Sequence, residues 1–194
     1  MKTKLLMLLV LLGSLWTSNL YAQTRYPKRE FRGAWIQCVN GQFQGMPTEK
    51  MKKVLVSQLD NLQKAGINAI IFQVRAEADA LYKSPYEPWS RFLTGVQGKA
   101  PSPMWDPLQF MIEECHKRNM ELHAWINPYR AKTKGTGALS PMHPYSKNPE
   151  LFVQYAGQLY FDPGLPESRK YICKIVRDIV TRYDVDDIHM DDYF

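Results

Sequence analysis

Ala69–Arg75 (AIIFQVR) decides the fold, because it is an almost continuous apolar run that is rich in β-branched residues. Short runs of this kind are typical of strands that are buried on both faces of a parallel sheet. Three further segments of similar length also have the pattern of strands: Gly33–Val39 (GAWIQCV), Glu121–Asn127 (ELHAWIN) and Asp187–Tyr193 (DIHMDDY). We predict that these four segments are the strands of one sheet.

Segments with helical spacing of apolar residues lie between the predicted strands. Thr48 is predicted to cap a first helix that ends at Gly66, where glycine acts as a left-handed stop. The apolar face of this helix holds Met51, Val54, Leu55, Leu59 and Leu62. Asp106 and Pro107 are the predicted cap and first residue of a second helix, and Pro166 opens a third. Alternating strands and helices imply a parallel sheet with helices outside it.

The connections between these elements differ strongly in length. The helix-to-strand connections are short (65–68, 118–120 and 183–186), whereas the strand-to-helix connections 76–105 and 128–165 have about 30 and nearly 40 residues, against a usual few. The long loops lie at the carboxyl end of a parallel sheet, which holds the active site in β/α barrels. Their aromatic residues suit the apolar faces of sugars, or alternatively pack the loops down: Tyr82, Tyr86, Trp89, Phe92, Tyr129, Tyr145, Tyr155 and Tyr160.

The fold class that follows is α/β, with the first four units of a (β/α)8 TIM-type barrel and long strand-to-helix loops. Four strands cannot close an eight-stranded barrel, and an open half would expose an unpaired edge and the inner faces of its strands. We therefore expect the 194-residue chain to be a fragment or a truncated product. A dimer of half barrels and an open wound sheet are the alternatives, and the sequence does not set the oligomeric state.

The first 22 residues have the order of a secretory signal peptide. Lys2 and Lys4 precede the apolar run Leu5–Trp16, and a short polar stretch leads to Ala22. The run has about 12 residues, whereas a spanning helix needs about 20, so a membrane anchor is the weaker interpretation. We predict cleavage after Ala22, a barrel domain over residues 23–194, export to the periplasm or the extracellular space, and no stable membrane span after cleavage.

The charge balance argues against a nucleic-acid partner, and the cysteine spacing argues against a cysteine metal site. The chain has 25 basic and 19 acidic residues without a dense basic stripe, so a nucleic-acid partner is not indicated. A weak attraction to an anionic envelope polymer is compatible with this balance. Cys38, Cys115 and Cys173 are far apart and lack metal-ligand spacing, and all three are predicted to be buried free thiols.

Several stretches in the same order resemble the glycosyl hydrolase-like 10 family of bacterial exported proteins. The resemblance implies a β/α barrel that cleaves glycans, including amino-sugar polymers of the cell envelope such as peptidoglycan strands. The family barrel continues beyond the last matching stretch, and the family usually has glycine at the position of Asp187. The matching stretches are Arg29–Trp35 (REFRGAW), Phe72–Tyr82 (FQVRAEADALY), Pro88–Gly98 (PWSRFLTGVQG), Asp106–Leu108 (DPL), Glu121–Arg130 (ELHAWINPYR), Asp162–Gly164 (DPG) and Tyr183–Phe194 (YDVDDIHMDDYF).

Glycoside cleavage needs a proton donor and a second carboxylate, and Asp191 and Asp192 at the end of the fourth strand are the predicted catalytic residues. Adjacent strand residues point to opposite faces, so His189 facing inward brings Asp191 inward too. We predict that Asp191 reacts and that Asp192 supports it, by holding a loop or by raising the pKa of Asp191. The alternative is that both are solvated charges at a strand end.

The second carboxylate has several candidates. Glu77, Asp79 and Asp162 lie in the long loops, and a later strand is the alternative source. Arg75 is predicted either to bind a sugar hydroxyl or to pair with a carboxylate. His123, Trp125 and Asn127 share one strand face, although His123 is also compatible with a satisfied interior histidine. The predicted substrate-binding residues are Arg75, Glu77, Asp79, Tyr82, Trp89, His123, Trp125, Asn127, Tyr129, Arg130 and His189.

Other functions remain open at this stage. The chain could be a non-catalytic carbohydrate-binding protein or an inactive fragment. A metal-dependent polysaccharide deacetylase would use His123, His189, Asp191 and Asp192, but short-spaced ligand pairs are missing from the sequence. No phosphate-binding glycine loop, serine-nucleophile elbow or dinucleotide fingerprint is present, and we predict no cofactor and no metal.

Overall fold

The computed structural model describes residues 30–191. The predicted signal peptide and Asp192 lie outside the described residues. Contacts divide the chain into two units, Met1–Phe31 and Arg32–Phe194. In the first unit only Glu30 and Phe31 are described, and both are exposed. The α/β fold belongs to the second unit.

A four-stranded parallel sheet forms the centre of this unit. Its strands are β1 (Gly33–Ile36), β2 (Ala69–Arg75), β3 (Glu121–Ile126) and β7 (Asp187–Met190), and they hydrogen-bond in the order β1-β2-β3-β7. The bounds of β2 confirm the prediction. The prediction was too long for the others, because β1 ends three residues earlier, β3 ends one residue earlier and β7 ends before Asp191.

The sheet curves so strongly that its two edge strands meet through their side chains. Neighbouring strands lie about 4.8 Å apart, so β1 and β7 would be separated by about 14 Å in a flat sheet. The rings of Trp35 on β1 and His189 on β7 nevertheless have centroids 5.8 Å apart. Trp35 and His189 therefore lie on a concave inner face, as in part of a barrel wall.

Helices cover the outer face of the sheet. These are α1 (Thr48–Lys64), α3 (Pro107–His116) and α5 (Pro166–Arg182), whereas the one-turn helices α2 (Arg91–Thr94) and α4 (Pro144–Lys147) lie in the two long strand-to-helix loops. The three long helices bury their apolar stripes against the outward residues of the strands. The main core includes Ile36, Ile70, Phe72, Leu122 and Ala124 of the strands, and Met51, Leu55, Leu59, Leu108, Met111, Ile112, Ile175 and Ile179 of the helices.

Three of the predicted helix boundaries are confirmed, including Pro166 as the first residue of α5, and one is wrong. Asp106 caps α3, with its carboxylate accepting a hydrogen bond from the Gln109 amide at 3.1 Å. Gly66 follows α1 in the left-handed conformation with φ of 82°, as expected for a helix stop. Thr48 is not the cap of α1. It is already helical, and Pro47 occupies the cap position without a side-chain hydrogen bond.

The long loop after β3 contains a second, antiparallel sheet that was not predicted. Its strands are β4 (Arg130–Lys132), β5 (Phe152–Tyr155) and β6 (Gln158–Phe161), in the order β4-β6-β5. Aromatic rings hold this loop down, because Phe161 lies between Phe152 and Tyr171, with ring centroids 4.1 and 5.2 Å away. Among the loop aromatics named from the sequence, Tyr129 packs on a second, smaller core and Tyr145 makes an edge contact with Phe152 at 5.4 Å, whereas Tyr155 is 75% exposed.

The cysteine prediction holds for two residues of three. Cys38 and Cys115 are buried free thiols, but Cys173 is free and exposed on α5, one residue beyond the inward-facing Ile172. Between residues 30 and 191, none of the helices combines the length and apolar character needed to cross a bilayer.

Candidate functional site

An open cavity of about 710 Å³ lies beside the carboxyl end of β1. Trp35 and Trp125 project into it from the inner face of the sheet, and Asp191 reaches it from the end of β7. Amide side chains from the β1–α1 connection and from α1 form much of the remaining wall. The full lining is Trp35, Ile36, Gln37, Asn40, Gln42, Gln58, Asn61, Leu62, Trp125 and Asp191.

Trp35 and Trp125, which line this cavity, both contact His189. The ring of His189 makes edge contacts with Trp35 and with Trp125, at centroid distances of 5.8 and 6.4 Å. The indole Nε1 of Trp35 donates a hydrogen bond to Nε2 of His189 at 3.4 Å, which places the proton of a neutral His189 on Nδ1. Trp35 is 57% exposed and belongs to β1, an edge strand of the four-stranded sheet.

Asp191 is exposed at the rim of the cavity, directly after the last residue of β7. Its backbone carbonyl accepts a hydrogen bond of 3.0 Å from Nδ2 of Asn127 at the end of β3. The period-two argument from His189 thus agrees with the position of Asp191 beside the inner-face tryptophans. Asp192, the other predicted catalytic residue, lies outside the described residues.

A row of side-chain amides crosses the carboxyl ends of all four strands. Oε1 of Gln73 accepts hydrogen bonds from the amides of Cys38 and Val39, at 2.9 and 3.4 Å. Nε2 of Gln73 donates to Oδ1 of Asn127 at 2.8 Å, and Asn127 continues the row to Asp191. Sequence reasoning missed Gln73. The available signal was a polar side chain inside the otherwise apolar run of β2.

With this geometry established, the comparisons with known proteins decide the family. The model of the family described as Glycosyl hydrolase-like 10 matches residues 30–194. The chain belongs to this family. It is 48% identical to glycosyl hydrolase YngK of Bacillus subtilis over 172 residues, covering 86% of this chain and 33% of that protein. It is 34% identical to glycosyl hydrolase DigH of Escherichia coli K12, covering 89% of this chain and 44% of that protein.

The chain of this glycosyl hydrolase-like 10 protein therefore spans between a third and somewhat under half of these relatives. Its fold is similar to solved glycosidase barrels. An alpha-L-fucosidase from Paenibacillus thiaminolyticus matches with a TM-score of 0.58 at 15% identity, covering 86% of this chain and 24% of that one. A maltogenic alpha-amylase from Thermotoga neapolitana matches with a TM-score of 0.56 at 17% identity, covering 84% and 39%. The predicted partial (β/α)8 barrel is confirmed.

The loop carboxylates of this family member lie apart from the cavity, inside a buried network. Burial raises the pKa of Glu77, but hydrogen bonds from Arg91, Thr133 and Thr136 outweigh it and leave the pKa below its usual value. The donor distances to the Glu77 carboxylate are 2.9, 2.6 and 2.8 Å. Glu77 therefore ties the two long loops together as a carboxylate at neutral pH.

The pKa of Asp79 is shifted in the opposite direction from that of Glu77. Burial, followed by the negative charge of Glu77, raises the pKa of Asp79 to about 6, against the lowering effect of a hydrogen bond from Gln97. The side chain is fully buried. Neither Glu77 nor Asp79 lines the cavity that holds Asp191.

Arg75 forms a buried ion pair, which was one of the two roles predicted for it. Its guanidinium makes two hydrogen bonds to the Glu87 carboxylate at 2.8 and 2.7 Å, and both side chains are 0% exposed. Nη1 also donates to the carbonyls of Asn127 and Pro128 at 2.6 and 3.1 Å. The structure therefore places Arg75 in support of the end of β3, out of reach of a ligand in the cavity.

The other predicted binding residues are spread over the domain. Tyr82 is buried against Tyr183, and Trp89 is half-buried against the main core. His123 lies near the amino end of β3, where its Nε2 is 3.1 Å from the Glu121 carboxylate. Tyr129 packs on the small second core, and Arg130 begins β4. Of the predicted set, the structure brings Trp125, Asn127, His189 and Asp191 together.

A metal site would require His and Asp side chains to converge on one point. Within residues 30–191, no group of three or more His, Cys, Asp and Glu side chains is arranged to hold a metal ion. His123 is paired with Glu121 on the lower part of the inner face, whereas His189 is enclosed between Trp35 and Trp125.

Proposed function

We propose that this chain forms part of a glycoside hydrolase that cleaves O-glycosidic bonds in a bacterial envelope polysaccharide. Peptidoglycan glycan strands are the substrate class that we favour. The observation that carries the proposal is one cavity, at the carboxyl end of a barrel-type sheet, that combines the exposed ring of Trp35, the Trp125 ring and the Asp191 carboxylate. Barrel glycosidases place their active sites at this end, and the two relatives carry the name glycosyl hydrolase.

In this proposal Asp191 supplies one of the two carboxyl groups that glycoside cleavage requires. The rings of Trp35 and Trp125 hold the sugar by its apolar face. The side-chain amides that line the cavity, such as those of Asn40 and Gln42, bind its hydroxyl groups. Asp192, next in the chain, supports Asp191. The partner carboxyl group comes from the part of the longer relatives that this chain does not span.

The test compares Asp191→Asn with Asp184→Asn, the same substitution at a 94% exposed aspartate near the opposite end of β7. The release of reducing ends from peptide-free glycan strands is measured for each variant and for the unchanged chain. We expect Asp191→Asn to lower turnover by about 10²–10⁴-fold, as for loss of an acid–base group, and Asp184→Asn to have no effect. Equal turnover in both variants would remove Asp191 from the mechanism.

A non-catalytic carbohydrate-binding function is the second candidate. It is favoured by the presence of a single carboxylate, that of Asp191, among the described residues that line the cavity. This candidate predicts retention of the chain on immobilised glycan strands without product release. Trp35→Ala should abolish retention, whereas Trp89→Ala, at a half-buried ring outside the cavity, should leave it intact.

Export to the periplasm or the extracellular space is part of the same proposal, because the polymer lies outside the cytoplasm. The support is the basic and then apolar order of residues 1–22. We expect the secreted chain to begin at Gln23, as read by mass spectrometry of the recovered protein. Leu9→Arg, which interrupts the apolar run, should keep the protein inside the cell. Secretion of that variant with the same N-terminus would contradict the assignment.

A further inference from the structure

The carbonyl of Asp191 is held by a side chain and not by strand pairing. The pairing of β3 with β7 ends at Met190, which is opposite Ile126. One residue later, Nδ2 of Asn127 takes over and donates to the Asp191 carbonyl at 3.0 Å. The position of the carboxylate at the cavity rim therefore depends on which way the Asn127 amide faces.

Gln73 sets that direction. Its Oε1 is occupied by the backbone amides of Cys38 and Val39, so its Nε2 must face β3. Oδ1 of Asn127 accepts from this Nε2 at 2.8 Å, which turns Nδ2 of Asn127 towards Asp191. Both Gln73 and Asn127 are 1% exposed, and a buried polar atom that loses its partner is costly. The amide row therefore has one favourable polarity.

We propose that Gln73 is a positioning residue that acts through Asn127 to fix Asp191 at the rim of the cavity. The functional part of this inference rests on the proposed function, since it assumes that Asp191 reacts. The amide row itself makes a structural prediction that holds whether or not the chain hydrolyses a glycan. The amide of a glutamine supplies both an acceptor for β1 and a donor for Asn127 at neutral pH.

Gln73→Glu tests the required donor without changing the size of the side chain. The ionised carboxylate of this variant still accepts from Cys38 and Val39, but it has no proton for Oδ1 of Asn127. Asn127 should then reverse its amide and release the Asp191 carbonyl. The protonated carboxyl regains a donor, and burial raises the pKa of such a group, so mild acid should restore the row. A role in packing alone predicts no such rescue.

Hydrogen–deuterium exchange of the peptide that contains residues 187–191 provides the structural measurement. At pH 8, we expect Gln73→Glu to speed exchange about tenfold, as for the loss of roughly one hydrogen bond, and at pH 5 we expect the rate to approach that of the unchanged chain at pH 5. Both proteins contain Asp79, His189 and Asp191, so comparison at the same pH removes any contribution from these groups. Gln63→Glu is the control, because Gln63 is exposed and donates to a single carbonyl, that of Arg118.

A thermal unfolding curve at each pH shows whether Gln73→Glu remains folded, and Gln73→Met provides a second variant that lacks the donor at every pH. Gln73→Met should keep fast exchange at pH 5, where Gln73→Glu recovers. Unchanged exchange in Gln73→Glu at pH 8, or equal recovery of both variants, would overturn the proposal.

Turnover separates this proposal from the proposed function. We expect Gln73→Glu to lower kcat about tenfold at pH 8 with little change in KM, because the cavity lining is intact. If Asp191→Asn abolishes turnover while Gln73→Glu keeps full kcat, the positioning role is wrong and the proposed function stands. If Asp191→Asn has no effect on turnover, Asp191 is not the reacting carboxylate, and if the unchanged chain shows no turnover, the proposed function fails. In both cases the exchange data still decide whether the amide row holds Asp191.

Discussion

The buried pair of Arg75 and Glu87 gives the sharpest prediction for stability. Glu87→Gln removes the negative charge but leaves the Arg75 guanidinium in place, with both side chains 0% exposed. The variant amide can accept at one oxygen, while its NH₂ group faces a guanidinium that has only donors. Removing one partner of a buried pair costs about 3–5 kcal/mol, a large share of the typical 5–15 kcal/mol of a domain.

The assay is urea unfolding followed by circular dichroism, with a thermal scan beside it. For a domain of this size, the expected loss corresponds to a decrease of roughly 10 °C in Tm. Glu49→Gln is the control, because Glu49 is 72% exposed and pairs with Lys52 at 3.4 Å. Exposed pairs contribute about 0–1 kcal/mol. A loss for Glu87→Gln that is below about 1 kcal/mol and equal to that of the control would refute the buried-pair reasoning.

Two further predictions follow from burial. Because the folded pKa of Asp79 is about 6 and the unfolded value is near 4, the folded state binds more protons between these values. Stability from this group therefore rises as pH falls from 7 to 5, by about 1 kcal/mol, and urea unfolding of Asp79→Asn should lack that rise. Native labelling with iodoacetamide should modify Cys173 and spare Cys38 and Cys115, whose pKa values are raised by burial; equal labelling of all three, read by peptide mass spectrometry, would contradict the burial assignment.

The sequence predicted those parts of the fold in which local pattern and packing agree. β2 is apolar throughout most of its length and is buried on both faces, so its bounds were readable from composition alone. Asp106 and Pro107 start α3 as expected because both residues have a strong positional preference at a helix start. The prediction that Thr48 caps α1 was wrong because Pro47 occupies the cap position and Thr48 is already helical.

Other features depend on contacts between distant segments. β4 has three residues, and the antiparallel sheet that contains it packs against α5 through Phe161. The partner of Arg75 is twelve residues away in a long loop, which the sequence could not identify among several acids. The role of Gln73 depends on its hydrogen bonds to Asn127 and Cys38, which follow two other strands and could not be paired with it from the sequence.

The most informative prediction for the site was which strand residues face the inner side of the sheet. Trp125 and Asn127 share one face at the end of β3, and His189 joins them from β7, as the period-two spacing indicated. Asp79 and Tyr82 were expected at the same rim because they follow β2 in sequence. Burial of the loop against the barrel turned both side chains away from the cavity.

The most direct test of a sugar site at this end of the sheet is whether one glycan contacts Trp35 and Trp125 together. The indole N–H signals of the tryptophans are followed by NMR while peptide-free glycan oligosaccharides are added to the Asp191→Asn protein. We expect saturable shifts for Trp35 and Trp125, which line the cavity, and constant signals for Trp89 and Trp105, which do not. Shifts confined to Trp89 or Trp105, or unchanged signals for Trp35 and Trp125 at saturating glycan, would contradict the assignment of the cavity as the glycan site.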